Sequence, residues 1–153
     1  MKHSLIRSPS DKVGGLVYFG RLLDKIRLHL RGELPADYQE NFGDAEALDG
    51  CLARFLDREH GAILERAASG GSDEEILEWC FQHGLRPNDI QIRVWNAFAG
   101  KLGWRDSAAR TVVRVNQRIG GQVELQTIFE CLDADEGRLR PDGPRGVATP
   151  LHG

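Results

Sequence analysis

Apolar side chains spaced three and four residues apart constrain this chain more than any other feature. Leu16, Phe19, Leu23, Ile26 and Leu30 recur at those steps, which places them on one stripe of an α-helix. Gly32 and Pro35 bring that helix to an end. Ser72 and Glu75 have the spacing of a capping box, so a second helix starts there and runs to His83, with Gly84 suited to the position just past its end. Pro87 is placed to open the next helix, because its missing N–H needs no partner in a first turn. Ile90, Val94, Trp95, Phe98 and Leu102 share one broad face of that helix and Gly103 closes it. This reading puts Asn96 on the solvent side and Trp79 in the core.

Asp106 is a cap for a helix from Ser107 to Ile119, closed by Gly120 and Gly121. Propensity and period disagree here. Thr111, Val112, Val113 and Val115 are β-branched, yet Ala108, Val112, Val115 and Ile119 share a helical face, with Arg110, Arg114 and Arg118 opposite. The period decides for helix. Shorter helices fit 44–56, 59–68 and 124–133, and no Asn-Gly or Asp-Gly turn joins two alternating runs, so a sheet has little support. The expected class is all-α, one compact domain of six or seven helices. Its predicted body covers 10–136, after a disordered start over 1–9 and before a flexible tail over 137–153, where four Gly and three Pro break regular structure.

With 153 residues, 41% of them hydrophobic, the chain has material for one core. That composition excludes a disordered polymer, a collagen-like repeat and a disulfide-dense toxin. The net charge of −3 is distributed in blocks: +5 over 1–31, −10 over 32–85, +5 over 86–123 and −3 over 124–153. Blocks of opposite sign are expected to pair within the fold and leave little external field. Cys51, Cys80 and Cys131 are odd in number and lack C-x-x-C spacing, which implies a reducing compartment. The start has no apolar signal core, and the longest uncharged stretch near it, Val13 to Gly20, is too short to cross a bilayer. Cytoplasmic localisation is the expectation.

Chemistry-bearing motifs are few. The five histidines include no H-E-x-x-H and no partner cysteine within a helical turn, so no metal is implied. The acids before Gly137 lack the spacing of a calcium loop. Phosphate-loop, dinucleotide and nucleophile-elbow strings are absent from the sequence, and no cofactor is implied. What stands out is the polar group in the first long helix: Arg21, Asp24, Lys25, Arg27 and Arg31. Gly20, Asp24, Arg27 and Arg31 fall in one strip beside the apolar stripe, with Arg27 half buried and Asp24 supplying its acceptor at the rim. Two readings compete: an ion pair locking this helix to a neighbour, or an anion pocket. In the second, Gly14 and Gly15 lead into the helix, its first amides carry partial positive charge, and Arg21 lies a turn inside. Trp104 and Arg105 offer a further surface for a planar ligand.

Ser8-Pro9, Gly14-Gly15-Leu16, Arg21, Leu23-Asp24-Lys25, Arg27 and Gly32 together resemble the opening of small bacterial proteins grouped as domain of unknown function 5069. Leu48-Asp49 before Phe55, Trp95-Asn96, and Phe129 with Asp133 to Glu136 are similar to that family's later landmarks. The resemblance implies a cytosolic protein and carries over no catalytic residue. It points to Arg21, Asp24, Lys25 and Arg27 as motif positions. An Arg tends to follow Ser-Pro in the family, whereas Ser10 stands here.

Function is thus read as binding of a small anionic or planar ligand at Gly14, Gly15, Arg21, Asp24, Lys25 and Arg27, with Trp104 and Arg105. A partner's acidic segment is the other candidate occupant. Catalysis is disfavoured, since an Asp24 held among cations is a weak base. The alternative is a protein–protein interaction module without a small-molecule site. Arg110, Arg114 and Arg118 give a helix-turn-helix outline, but overall acidity weighs against nucleic acid, and no membrane is expected.

Overall fold

The computed structural model describes residues 5–120 and 124–138. A two-residue hairpin opens it: β1 (Lys12–Val13) pairs antiparallel with β2 (Leu16–Val17), Val13 opposite Leu16. Seven α-helices follow among the described residues: α1 Phe19–Leu30, α2 Leu48–Phe55, α3 His60–Ala68, α4 Asp73–His83, α5 Asp89–Lys101, α6 Ala109–Ile119 and α7 Ile128–Asp135. A 3-10 turn, Ala36–Tyr38, lies between α1 and α2. The protein is predominantly helical, as the apolar period indicates.

The hairpin corrects one expectation. Leu16 belongs to β2, not to the first helix, and Gly14 and Gly15 are the two turn residues, at φ 58° and 84°. Two positive φ values in a row suit a right-twisted two-residue hairpin, and a Gly-Gly pair adopts them without Cβ strain. An Asn-Gly or Asp-Gly filter is therefore too narrow.

Contacts cluster into two compact units, Leu5–Ala99 and a second beginning at Gly100. In the first, α1 packs on α3 and β1, α3 on α2 and α4. Phe19, Leu22, Leu23 and Ile26 of α1 are buried, as are Leu52, Leu56, Ile63 and Ile76. Each such side chain contributes on the order of 1.5–3 kcal/mol through its removal from water. Ile6, assigned by sequence to a disordered start, is buried with Leu28, Leu34 and Tyr38. The remainder of that start, residues 1–4, and most of the expected tail, 139–153, lie outside the described residues.

Helix ends follow the local chemistry. Ser72 accepts from Glu75 N–H while Glu75 reaches back to Ser72 N–H at 2.8 Å, the reciprocal capping expected. Asn88 and Gln91 do the same for α5, at 2.8 Å each way. Pro87 thus lies just outside the helix and does not open it. In the second unit Asp106 accepts from Gly103 N–H and Ala108 N–H, and Gly120 closes α6 in the left-handed conformation. The side of α6 bearing Val112, Val115 and Ile119 packs with Leu125, Ile128 and Cys131, which explains why period outweighs β-propensity there.

The buried side of α5 differs from the one its apolar period suggests. Ile90, Val94 and Phe98 are exposed, while Trp95 and Ala99 are buried. Asn96, expected in solvent, accepts from Val17 N–H at 3.0 Å and donates to Gly15 O at 2.8 Å. Trp95 Nε1 donates to Val17 O at 3.1 Å. A hairpin this short leaves backbone groups unpaired, and this side of α5 satisfies them. Trp79, expected in the core, is half buried, with the Arg58 guanidinium 4.9 Å from its ring centroid and His83 beside it.

Candidate functional site

The polar residues of α1 divide between two neighbouring faces. On the outer one, Asp24 is held from two sides by Arg7: Nε to Oδ2 and Nη2 to Oδ1, both 2.9 Å, with Arg7 N–H also 2.9 Å from Oδ2. Arg7 Nη2 reaches Gly20 O at 3.1 Å and its Nη1 donates to Asp73 at 2.7 Å. The other oxygen of Asp73 accepts from Arg27 at 2.6 Å, and Arg27 also donates to Gly71 O at 3.3 Å. Asp24 is thus not the acceptor of Arg27, as the local spacing suggested. Two guanidinium groups and two carboxylates alternate, tying the leading segment, α1 and the start of α4 together. Burial alone would raise Asp73, but hydrogen bonds from Arg7 and Arg27 outweigh it and hold the carboxyl below its usual range.

On the inner face, one helical turn separates Arg21 from Lys25, and both are buried. Arg21 Nη1 donates to Arg7 O at 3.0 Å. Lys25 Nζ donates to Asp49 Oδ1 at 2.8 Å, the same oxygen that accepts from Tyr18 OH at 2.7 Å. Asp49 Oδ2 takes Gly43 N–H at 3.0 Å. Asp49 is fully buried on α2, so three donors offset the loss of water around its charge. Burial, and then Asp49, push the Tyr18 hydroxyl well above its ordinary value. Tyr18 also holds a left-handed backbone, φ 76°, at the start of α1, a conformation that costs a bulky residue about 1–3 kcal/mol.

His60 stands at the edge of this inner cluster, its Nε2 3.8 Å from Asp49 Oδ2, beyond hydrogen-bond reach. Its ring meets Phe42 edge-on at 4.9 Å. Burial lowers its affinity for a proton; Asp49 opposes this, while Lys25 and His29 reinforce it. The unfolded chain therefore binds this proton more readily than the folded one. Stability is full above the ordinary histidine value of about 6.5 and falls as the pH drops through it toward the folded value. His60→Gln should flatten that loss. Melting curves of the two proteins between about pH 7.5 and 5.5 should diverge, with wild type falling further; parallel curves would contradict the assignment.

Of the residues singled out by sequence, Asp24 and Arg27 join one network through Arg7 and Asp73, whereas Lys25 belongs to the inner cluster. Arg21 reaches the outer network through the Arg7 carbonyl. Gly14 and Gly15 form the hairpin turn, four residues before α1, and Gly15 O is held by Asn96. Trp104 and Arg105 belong to the second unit, Trp104 exposed and the Arg105 guanidinium 4.9 Å from its ring centroid. Arg7, Asp73, Tyr18 and His60 are not legible as site residues in the sequence, and Asp49 stands out there only as a landmark of the resembled family. Tyr18 precedes Lys25 by seven residues, two helical turns, which is the signal that could have found it.

The three thiols are not activated, since burial raises Cys51 and pushes Cys80 and Cys131 up to about 11. Among the described residues no group of three or more His, Cys, Asp or Glu could hold a metal ion, and no helix is long and apolar enough to cross a membrane.

Fold and cluster define the class: a predominantly helical protein whose first long helix is tied down on two faces by charge pairs. The chain belongs to the family described as domain of unknown function 5069 (DUF5069), whose model matches residues 3–138. The resemblance in the opening string is therefore borne out. No curated protein matches the chain.

Proposed function

We propose that this chain is a protein–protein interaction module and that the polar cluster of α1 is its scaffold. Neutralisation within the cluster supports the second half: Arg7 and Arg27 are matched by Asp24 and Asp73, and Lys25 by Asp49, so an incoming small anion would have to displace a carboxylate already in place. Three free cysteines fit a protein of a reducing, cytoplasmic compartment.

The observation that carries the reading is the row Ile90, Val94 and Phe98, which are 60%, 59% and 46% exposed at four-residue steps along α5. One exposed apolar residue is ordinary, but three in a row on a helix is the surface that a partner helix covers. Arg93 is exposed beside it, and no acid occurs between Ile90 and Ala99. A second copy would bring like charges together; an amphipathic helix with acidic flanks complements them. A labelled peptide with leucines at helical spacing and glutamate flanks should bind the full chain, and the same peptide with lysine flanks should not. Val94→Asp and Phe98→Asp should each weaken binding tenfold or more, as expected for central apolar anchors, and Val94→Asp should do so with a melting temperature close to that of wild type. Equal binding of both peptides, or variants that bind as tightly as wild type, would overturn the proposal.

A further inference from the structure

Helix α6 of the second unit carries its three arginines as one row with no acid among them. Arg7, Lys25, Arg27, Arg86 and Arg138 all pair with carboxylates. Arg110, Arg114 and Arg118 are exposed on α6, and their guanidinium groups make no ion pair or hydrogen bond among the described residues. No acid occurs anywhere between Ser107 and Val123. Successive arginines lie four residues apart, so the row rises about 6 Å per step and its members stand one above another. Like charges at this spacing repel and cost the helix a few tenths of a kcal/mol per pair. A string of anions laid along the row would relieve that repulsion and replace it with charge-assisted hydrogen bonds.

Three further observations narrow the anion. Thr111 and Gln117 are exposed beside the row, side chains that commonly hydrogen-bond phosphate and sugar oxygens. Trp104 is exposed just before α6, in a loop fixed by Asp106 through Gly103 N–H and Ala108 N–H, with Arg105 held over its ring at φ 57°. The apolar side of α6 is engaged with Leu125, Ile128 and Cys131, which leaves Val113 as its one exposed large apolar side chain, too little to anchor the helix in a lipid surface. An arginine row with an exposed indole a few residues before it in the chain offers what single strands require, charge for the backbone and a ring for an unpaired base. The overall acidity that weighed against nucleic acid is concentrated elsewhere, with thirteen of the 23 acids between residues 32 and 85.

We infer that Arg110, Arg114 and Arg118 form a docking row for the phosphates of single-stranded nucleic acid, with Trp104 as the stacking partner of an exposed base. The inference is independent of the α5 surface. Fluorescence anisotropy of the full chain with labelled 20-nucleotide oligo-U and oligo-dT at low salt reads it directly, the two arms separating RNA from DNA.

Binding of at least one strand is expected, with a log–log salt slope that falls by about 2 when all three arginines become glutamine, since each phosphate contact contributes roughly 0.7. The triple variant should also lose tenfold or more in affinity. Trp104→Ala should lose about tenfold without changing the slope, because stacking releases no counterions. All four side chains are exposed, so melting temperatures should match wild type, and Val94→Asp should bind as wild type does. No binding at low salt, binding that survives the triple variant, or equal or tighter binding to a duplex, polyglutamate or anionic vesicles would overturn the inference.

Discussion

Asp49→Ala should lower the melting temperature by roughly 10 °C, the largest fall expected of any single polar substitution in the chain. Removal of its carboxylate leaves the Lys25 ammonium buried without its counter-charge and strips the acceptor from Tyr18 OH and Gly43 N–H. Breaking one side of a buried pair costs about 3–5 kcal/mol, and each kcal/mol moves the melting point of a chain this long by roughly 2–4 °C. The cost lies in the abandoned charge more than in the lost attraction. The double variant Lys25→Met/Asp49→Leu should therefore recover most of the stability, because it leaves no ion behind. Calorimetry on wild type, Asp49→Ala and the double variant checks this. A single variant that melts within about 2 °C of wild type would mean the pair is not sealed from water. The test also bears on the proposed function, since a scaffold cluster contributes to melting whether or not a ligand is added.

The sequence reveals what depends on neighbours along the chain and hides what depends on partners far away. The capping box at Ser72, the left-handed close of α6 at Gly120 and the helical nature of its valine-rich stretch follow from spacing within a few residues. The strip of Gly20, Asp24 and Arg27 is legible for the same reason. Its partners are not: Arg7 and Asp73 are 66 residues apart, and Lys25 and Asp49 are 24 apart. Helical period shows that α5 is amphipathic without saying which side is covered. There the unpaired backbone of the hairpin draws in Trp95 and Asn96 and turns the more apolar row outward. Charge blocks behave similarly. The basic and acidic blocks do pair through Arg7 and Arg27 with Asp73, and through Arg86 with Glu78, but block arithmetic could not tell that the arginines of α6 stand apart.

Gly84→Ala should destabilise the first unit by about 3 kcal/mol, the second large effect, and for a reason other than the one its place in the sequence suggests. A glycine past a helix end usually supplies a left-handed residue. Gly84 does not: its φ is negative, at −143°. What it supplies is space. A Cβ there would fall well inside contact distance of the Leu56 carbonyl oxygen, and 2.9 Å from both Asp57 O and the Arg58 side chain. Leu56 O accepts from Leu85 N–H at 2.8 Å, and the Arg58 guanidinium donates to His83 O at 2.7 Å, so the ends of α2 and α4 are tied at the point of the clash. Backbone cannot swing aside as a flexible side chain can, and the substitution must break that tie or displace a helix. Hydrogen exchange should locate the damage: faster exchange at Leu85 N–H, with the α6 amides unchanged. If Gly84→Ala melts like wild type, or loosens α6 equally, the close approach of the two helix ends is not what this glycine preserves.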